Sequence, residues 1–344
     1  MIEFADGFRV LVGQQSVDGH RSTLGCTRYS HRPEARAWEG TSLERMRTAR
    51  ILHHVSDADR RAVLGLLAAG GTSGRLDDLL VTDLSHGPRD GFVAVVAEVD
   101  GTTVGYAQAS MGNDGYVVGV ITVDGADESP VRLLAELLGA LPSGAEVTWW
   151  PAPDDPVDAT AIGLAPGRRL LQMSVPLPLA APSPYAASEL ALRAFRPGID
   201  DEEWLAVNNA AFHWHGEQGG WDLSTLHQRL QEPWFRPDGF LLHHRGGRLA
   251  AFCWTKLHDP DDDLAATIDG EIYVIAVHPD FHGLGLGRAL TVAGLQHLHA
   301  SGATHGMLFV DAANEPAIAL YRSLGFAVRR TLQAYQRPPE ERSS

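Results

Sequence analysis

Apolar residues along this 344-residue chain fall into two successions of the same kind. Phe92–Met111 reads strand, turn, strand: the run FVAVVAEV, then Asp100-Gly101, then TVGYAQASM. Phe240–Leu257 repeats the pattern with FLLHH, Gly246-Gly247 and LAAFCWTKL. β-Rich runs around a two-residue glycine turn predict antiparallel hairpins. Before the first hairpin, Ala49-Arg50-Ile51 predicts a strand, and Ser56-Asp57-Ala58-Asp59 opens a helix reaching Leu67. The successions also end alike, GRRLLQM at 167–173 and VRRTLQA at 328–334. A proline- and alanine-rich stretch, Pro176–Ser188, joins them.

Each unit is therefore predicted to run strand, helices, hairpin, strand, helix, strand, helix, strand. This is an α/β architecture, a mixed α+β sheet covered by helices. The expected organisation is a unit at 46–178, a linker at 179–188, a second unit at 189–337 and a tail at 338–344. Residues 1–45 are rich in Gly, Ser, Arg and His and carry neither period. They are expected to be a disordered extension or the product of a start codon placed too early.

Charge narrows the function. Lys and Arg number 28 against 43 Asp and Glu, a net charge of −15, without a concentrated basic patch, so nucleic acid and anionic lipid are not expected partners. Two distant cysteines, Cys26 and Cys253, exclude a disulfide framework and a thiolate zinc site. No apolar run approaches the roughly 20 residues that span a bilayer, and Met1–Asp6 lacks the form of a signal peptide. A cytoplasmic monomer without a metal is the expectation.

The chemistry concentrates in Gly270–Leu290, GEIYVIAVHPDFHGLGLGRAL. Ile272–Val277 is β-branched and aromatic, hence a strand ended by Pro279. His282-Gly283-Leu284-Gly285-Leu286-Gly287 follows and leads into an amphipathic helix through His297. A glycine turn from strand into helix aims backbone N–H groups at one spot, a seat for pyrophosphate. Alternating glycines do not fit the dinucleotide pattern, and no Gly-Lys-Ser/Thr supports nucleotide hydrolysis. The bland alternative is a tight strand-to-helix connection.

This stretch resembles the GNAT acetyltransferases, whose pyrophosphate loop reads Gln/Arg-x-x-Gly-x-Gly/Ala after a strand ending Val-x-Pro. Val277-His278-Pro279, Gly285 and Gly287 match, while His282 departs from Gln or Arg; its backbone N–H is expected to remain available to the cofactor. Asn314-Glu315-Pro316-Ala317-Ile318-Ala319-Leu320-Tyr321 and Gly325-Phe326 resemble the family's second signature. The resemblance implies acetyl-CoA as co-substrate, held by Ile275, Ala276, Val277, His282, Gly283, Leu284, Gly285, Leu286, Gly287, Arg288, Asn314 and Ala317. It implies that the Ile275 N–H meets the thioester carbonyl, the Val277 N–H meets pantetheine, and Tyr321 protonates the departing thiolate. Glu271 is the candidate base. The period of two puts Tyr273, Ile275 and Val277 on its face, so Glu271 is expected to point toward the loop side. Otherwise Glu271 would be a solvent-facing strand end, Tyr321 a core aromatic and Asn314 only a helix cap.

Within that superfamily, VNNAAF at 207–212, HGEQGGW at 215–221, EPWF at 232–235, Trp254-Thr255-Lys256 and GEIYV at 270–274 resemble the mycothiol synthases. These enzymes acetylate the cysteinyl amine of cysteinyl-glucosaminyl-inositol, a small thiol-sugar acceptor. The resemblance makes Glu217, Lys256 and Glu271 acceptor contacts, and puts Phe309 where a tyrosine is expected. Glu217 and Lys256 could equally be a surface ion pair. The tryptophans at 214, 221, 234 and 254 line the cleft or fill the core. His213 and His215 lack a third ligand and are read as structural or surface residues. In the first unit Tyr116–Val123 leads into Asp124-Gly125-Ala126-Asp127-Glu128-Ser129, with no glycine loop. That unit is expected to bind no CoA and to act as scaffold or cleft wall. Another amine acceptor, or a non-catalytic acyl-CoA sensor, are the competing readings.

Overall fold

The computed structural model describes residues 3–4, 47–69, 72–76, 78–87, 90–112, 115–126, 128–151, 158–180, 190–213, 220–258 and 270–337. Of the expected extension at 1–45 only Glu3–Phe4 is among them; most of the linker and the tail lie outside. The first run comprises β2 (Arg47–Leu52), α1 (Asp57–Ala69), β3 (Thr72–Arg75), α2 (Asp78–His86), β4 (Val93–Val99), β5 (Thr102–Met111), β6 (Tyr116–Val123), α3 (Pro130–Ala140), β7 (Val147–Trp149) and β8 (Ala165–Pro176). The second comprises β9 (Leu192–Ala194), α4 (Asp201–Ala211), α5 (Leu223–Leu230), β10 (Phe240–Arg245), β11 (Arg248–Leu257), β12 (Gly270–Val277), α6 (Leu286–Ala300), β13 (His305–Asp311), α7 (Glu315–Ser323) and β14 (Ala327–Gln336). Glu3–Phe4 forms the two-residue β1.

Both predicted hairpins form, each turning on two central residues of positive φ: Asp100 and Gly101, Gly246 and Gly247. The expected element order needs two corrections in the first run. Its last helix is only a 3₁₀ turn, Ala159–Ile162, and β3 is an added strand between α1 and α2.

All strands join one mixed sheet in the order β2-β4-β5-β6-β7-β14-β8-β13-β1-β12-β11-β10-β9, with β3 on β6. The two runs exchange their closing strands: β8 lies between β14 and β13, and β14 between β7 and β8. Leu170 faces Leu332 and Leu171 faces Thr331, so equivalent positions of the look-alike sequences pair about a local two-fold. Arg337 then reaches the carbonyls of Leu138, Pro142 and Ala145 at the end of α3. Neither run closes its sheet without the other.

In the second run the core has two layers. Trp204, Trp221, Phe240, Phe252 and Trp254 pack beneath α4 and α5. Leu286, Leu290, Leu295, Ile318 and Tyr321 pack beneath α6 and α7 on the opposite side of the sheet. Gly294 lets α6 approach closely, since a Cβ there would stand 2.7 Å from Cys253 Sγ. Burial pushes the Cys253 thiol up to about 12, so it remains a protonated core group. No helix among the described residues is long and apolar enough to cross a membrane.

Candidate active site

β12 runs through the middle of the site. Its edge toward β13 pairs in parallel only at Gly270–Gly306 and Glu271–Met307. Beyond that the two strands separate, and β1 occupies the gap, Glu3 opposite Ile275 and Phe4 opposite Val274 and Phe309. The slot thus admits one extended chain that hydrogen-bonds along β12.

The edge toward β11 carries a bulge. Trp254 pairs with Val274 and Thr255 with Ile272, leaving Tyr273 as the extra residue. The bulge breaks the period of two. Tyr273, Val274 and Ala276 turn to the aromatic layer under α4 and α5, while Ile272, Ile275 and Val277 face α6 and α7. The expectation that Glu271 shares a face with Ile275 and Val277 is corrected accordingly. Glu271 lies opposite Lys256, whose Nζ stands 4.9 Å from the Trp234 ring centre and 5.9 Å from that of Tyr273, so all four belong to the α4–α5 face.

Glu271 and Lys256 are buried, at 0 and 3 % exposure. Glu271 Oε2 is 2.9 Å from His258 Nε2, whereas the buried Oε1 has no hydrogen-bond partner among the described residues. The nearby indole Nε1 of Trp254 is also buried without one. Such orphaned groups are costly in a plain core and fit a face that receives a polar ligand. Phe309 is buried in the same aromatic layer, and Trp221 and Trp234 pack around Trp204, Trp254 and Tyr273. Trp221 and Trp254 are core groups, and Trp234 packs against them while touching Lys256.

On the other face, the strand leads through a 3₁₀ turn, Pro279–Phe281, to the glycines. Gly285 is the N-cap of α6 at φ 75°, and Gly283 has φ 78°, a region other residues avoid. No side chain caps this helix, so its first-turn N–H groups stay available to an anion. Gly287 has ordinary φ, and a Cβ would meet only Leu320 and Val277 at 3.9 Å. Leu284 is exposed and Leu286 buried.

His282 behaves differently from expectation. Its backbone N–H is taken by the Pro279 carbonyl at 3.2 Å, so it is not free for a ligand. Its ring Nε2 lies 2.9 Å from the Val277 carbonyl, fastening the turn to the end of β12. Arg288, in the first turn of α6, donates to the Ser323 hydroxyl on α7.

Asn314 caps α7, its Oδ1 accepting the Ala317 N–H at 3.3 Å. Ala317 and Tyr321 are buried against Ile275 and Val277, and Tyr321 meets Phe326 edge-on at 5.5 Å. The structure therefore puts the candidate base on one face of β12 and the candidate acid on the other, with the slot between β12 and β13 joining them. His213 bonds the Ala210 carbonyl at the end of α4, a structural contact. Trp214, His215 and Glu217 lie outside the described residues. Among the described residues no group of three or more metal-ligating side chains assembles. The bulge at Tyr273 and the His258 contact were missed by the sequence reading; a histidine two residues past Lys256, hence on its face, was the available signal.

Comparison with known proteins agrees with this geometry. Residues 208–326 match the acetyltransferase (GNAT) family. A mycothiol acetyltransferase of Thermobispora bispora is 46 % identical over 198 residues, 57 % of this chain and 66 % of its own length. Several other mycothiol acetyltransferases are matched over little more than half of theirs, such as 54 % for that of Acidothermus cellulolyticus. The one from Parafrankia sp. is 37 % identical over 308 residues, 82 % of this chain and 95 % of its own. A tandem GNAT protein from the clavulanic acid biosynthesis pathway superposes with a TM-score of 0.55 at 17 % identity, over 86 % of this chain and all of its own. A relative 37 % identical over 95 % of its own length shows that the chain belongs to the mycothiol acetyltransferase family, and the solved structures agree with a GNAT fold.

Proposed function

We propose that this chain transfers acetyl from acetyl-CoA to the cysteinyl amine of cysteinyl-glucosaminyl-inositol, giving mycothiol. The observation that carries the reading is the fully buried Glu271, one oxygen unmatched, at the point where β12 and β13 part. The uncapped start of α6 suits the pyrophosphate, with Gly283, Gly285 and Gly287 keeping side chains away from it. The slot now taken by β1 suits the extended pantetheine arm along Ile275, Ala276 and Val277.

In this reading Glu271 takes the proton of the acceptor ammonium, directly or through a water, and the freed amine attacks the thioester carbonyl. The Ile275 N–H stabilises the resulting oxyanion. Tyr321 protonates the departing thiolate, and Lys256 with Glu217 holds the acceptor's polar groups. Phe309 offers an apolar wall where a tyrosine would add a hydroxyl. Residues 46–178 and 189–337 are read as tandem units of which the second is catalytic and the first binds no CoA. A soluble cytoplasmic monomer is part of the same proposal.

The test is acetyl-CoA turnover with the pseudodisaccharide, free cysteine and free glucosamine, for wild type and Glu271→Gln. Turnover of the pseudodisaccharide alone, reduced about 10²–10⁴-fold in the variant with the KM for acetyl-CoA unchanged, is expected. CoA binding without turnover of any of the three would overturn the acceptor assignment.

A further inference from the structure

His258 follows β11 directly, and its side chain is 4 % exposed against 1 % for Glu271. A carboxylate this deeply buried needs a donor, and His258 supplies one to Oε2 at 2.9 Å while Oε1 is left unmatched. The two oxygens are thereby made unequal. The choice of donor has a chemical consequence. An arginine paired in both positions would hold the carboxylate too weakly basic to accept a proton, and would cover both oxygens. A single imidazole N–H fixes the orientation of the group and leaves one oxygen bare.

We propose that His258 is a positioning residue for Glu271: its Nε2–H anchors Oε2 and presents Oε1 to the acceptor ammonium. The proton passes from the ammonium nitrogen to Oε1, leaving a neutral amine with its lone pair and a neutral carboxyl group; no oxidation or reduction accompanies it. Lys256, opposite Glu271 on β11, and Tyr273, on the bulge, are titratable groups on the same face, which α4 and α5 cover with Asp201 and His227. The inference rests on Glu271 being the base.

The test compares His258→Ala, His258→Gln, Glu271→Gln and the double variant His258→Ala/Glu271→Gln, by steady-state kinetics and acetyl-CoA binding. The glutamine amide at 258 can reach the place of Nε2. His258→Ala is expected to lower kcat about 10–100-fold with acetyl-CoA affinity unchanged, and His258→Gln to recover most of it. In the Glu271→Gln background the alanine change should add little, because residues acting as a unit are not additive. Wild-type kcat in His258→Ala, no recovery by glutamine, or additive losses in the double variant would each overturn the positioning role. Wild-type turnover by Glu271→Gln alone would instead overturn the base itself.

Discussion

The two halves share an element order and differ at the places where chemistry needs a departure from regularity. Along β6 the pairing with β5 is regular from Gly105–Thr122 to Met111–Tyr116, whereas β12 is bulged at Tyr273. The first half sets Ser110 opposite Val117 where the second sets Lys256 opposite Glu271. The parting of β6 from β7 is filled by β3, four residues paired with Val120–Val123; among the described residues the matching gap beside β12 holds Glu3–Phe4. The helix starts differ most. Glu128 stands just before α3: it accepts the Ser129 N–H and pairs with Arg47, which also reaches Glu136, and Pro130 opens the helix without an N–H. The start of α6 has a left-handed glycine as its N-cap. Neither helix has a side-chain cap, but the first half sets a carboxylate and a proline at its helix start, where the second sets left-handed glycines. The fold tolerates both because the hydrophobic layers do not depend on which is chosen.

Gly285→Val breaks the open end most severely. A β-branched residue cannot hold φ 75°, so the turn must reorganise and acetyl-CoA affinity should fall at least about 100-fold, or about 2.8 kcal/mol. Titration calorimetry on the folded variant measures this. Near the start of α3, Arg47→Met leaves the buried Glu128 without its main partner and should cost about 2 kcal/mol in urea unfolding, between exposed and fully buried pairs, with turnover unchanged. A smaller effect separates charge from chemistry in the second half. Burial disfavours ionised Asp200, but hydrogen bonds and charges of Arg196 and Arg193 prevail and hold its carboxyl well below the ordinary value. The native pKa being lowered, this stability is present above the unfolded value near 4 and is lost as pH falls through the native one. Asp200→Asn should lower Tm by a few degrees at pH 7 and flatten the acid side of the Tm–pH curve, leaving the KM for acetyl-CoA unchanged.

The sequence carried the hairpins because Asp100-Gly101 and Gly246-Gly247 are local signals, and the turn at 282–287 for the same reason. It carried Asn314 as a cap and Tyr321 as a buried helix residue through spacing alone. What it hid is non-local. The face of Glu271 depends on one extra residue at Tyr273, opposed by β11, and nothing in GEIYVIAV marks the slip. The His282 backbone was expected to serve a ligand, yet the proline three residues earlier closes a turn onto it. The look-alike ends at 167–173 and 328–334 signalled repetition, but not that they pair with each other and tie the halves together.

The central claim is that one open helix end, in the second half, binds one acetyl-CoA. Calorimetric titration of the full chain with acetyl-CoA, beside Gly285→Val, tests it most directly. A stoichiometry of one per chain, lost in the variant, is the predicted result. Two molecules per chain, or binding that survives Gly285→Val undiminished, would contradict the account.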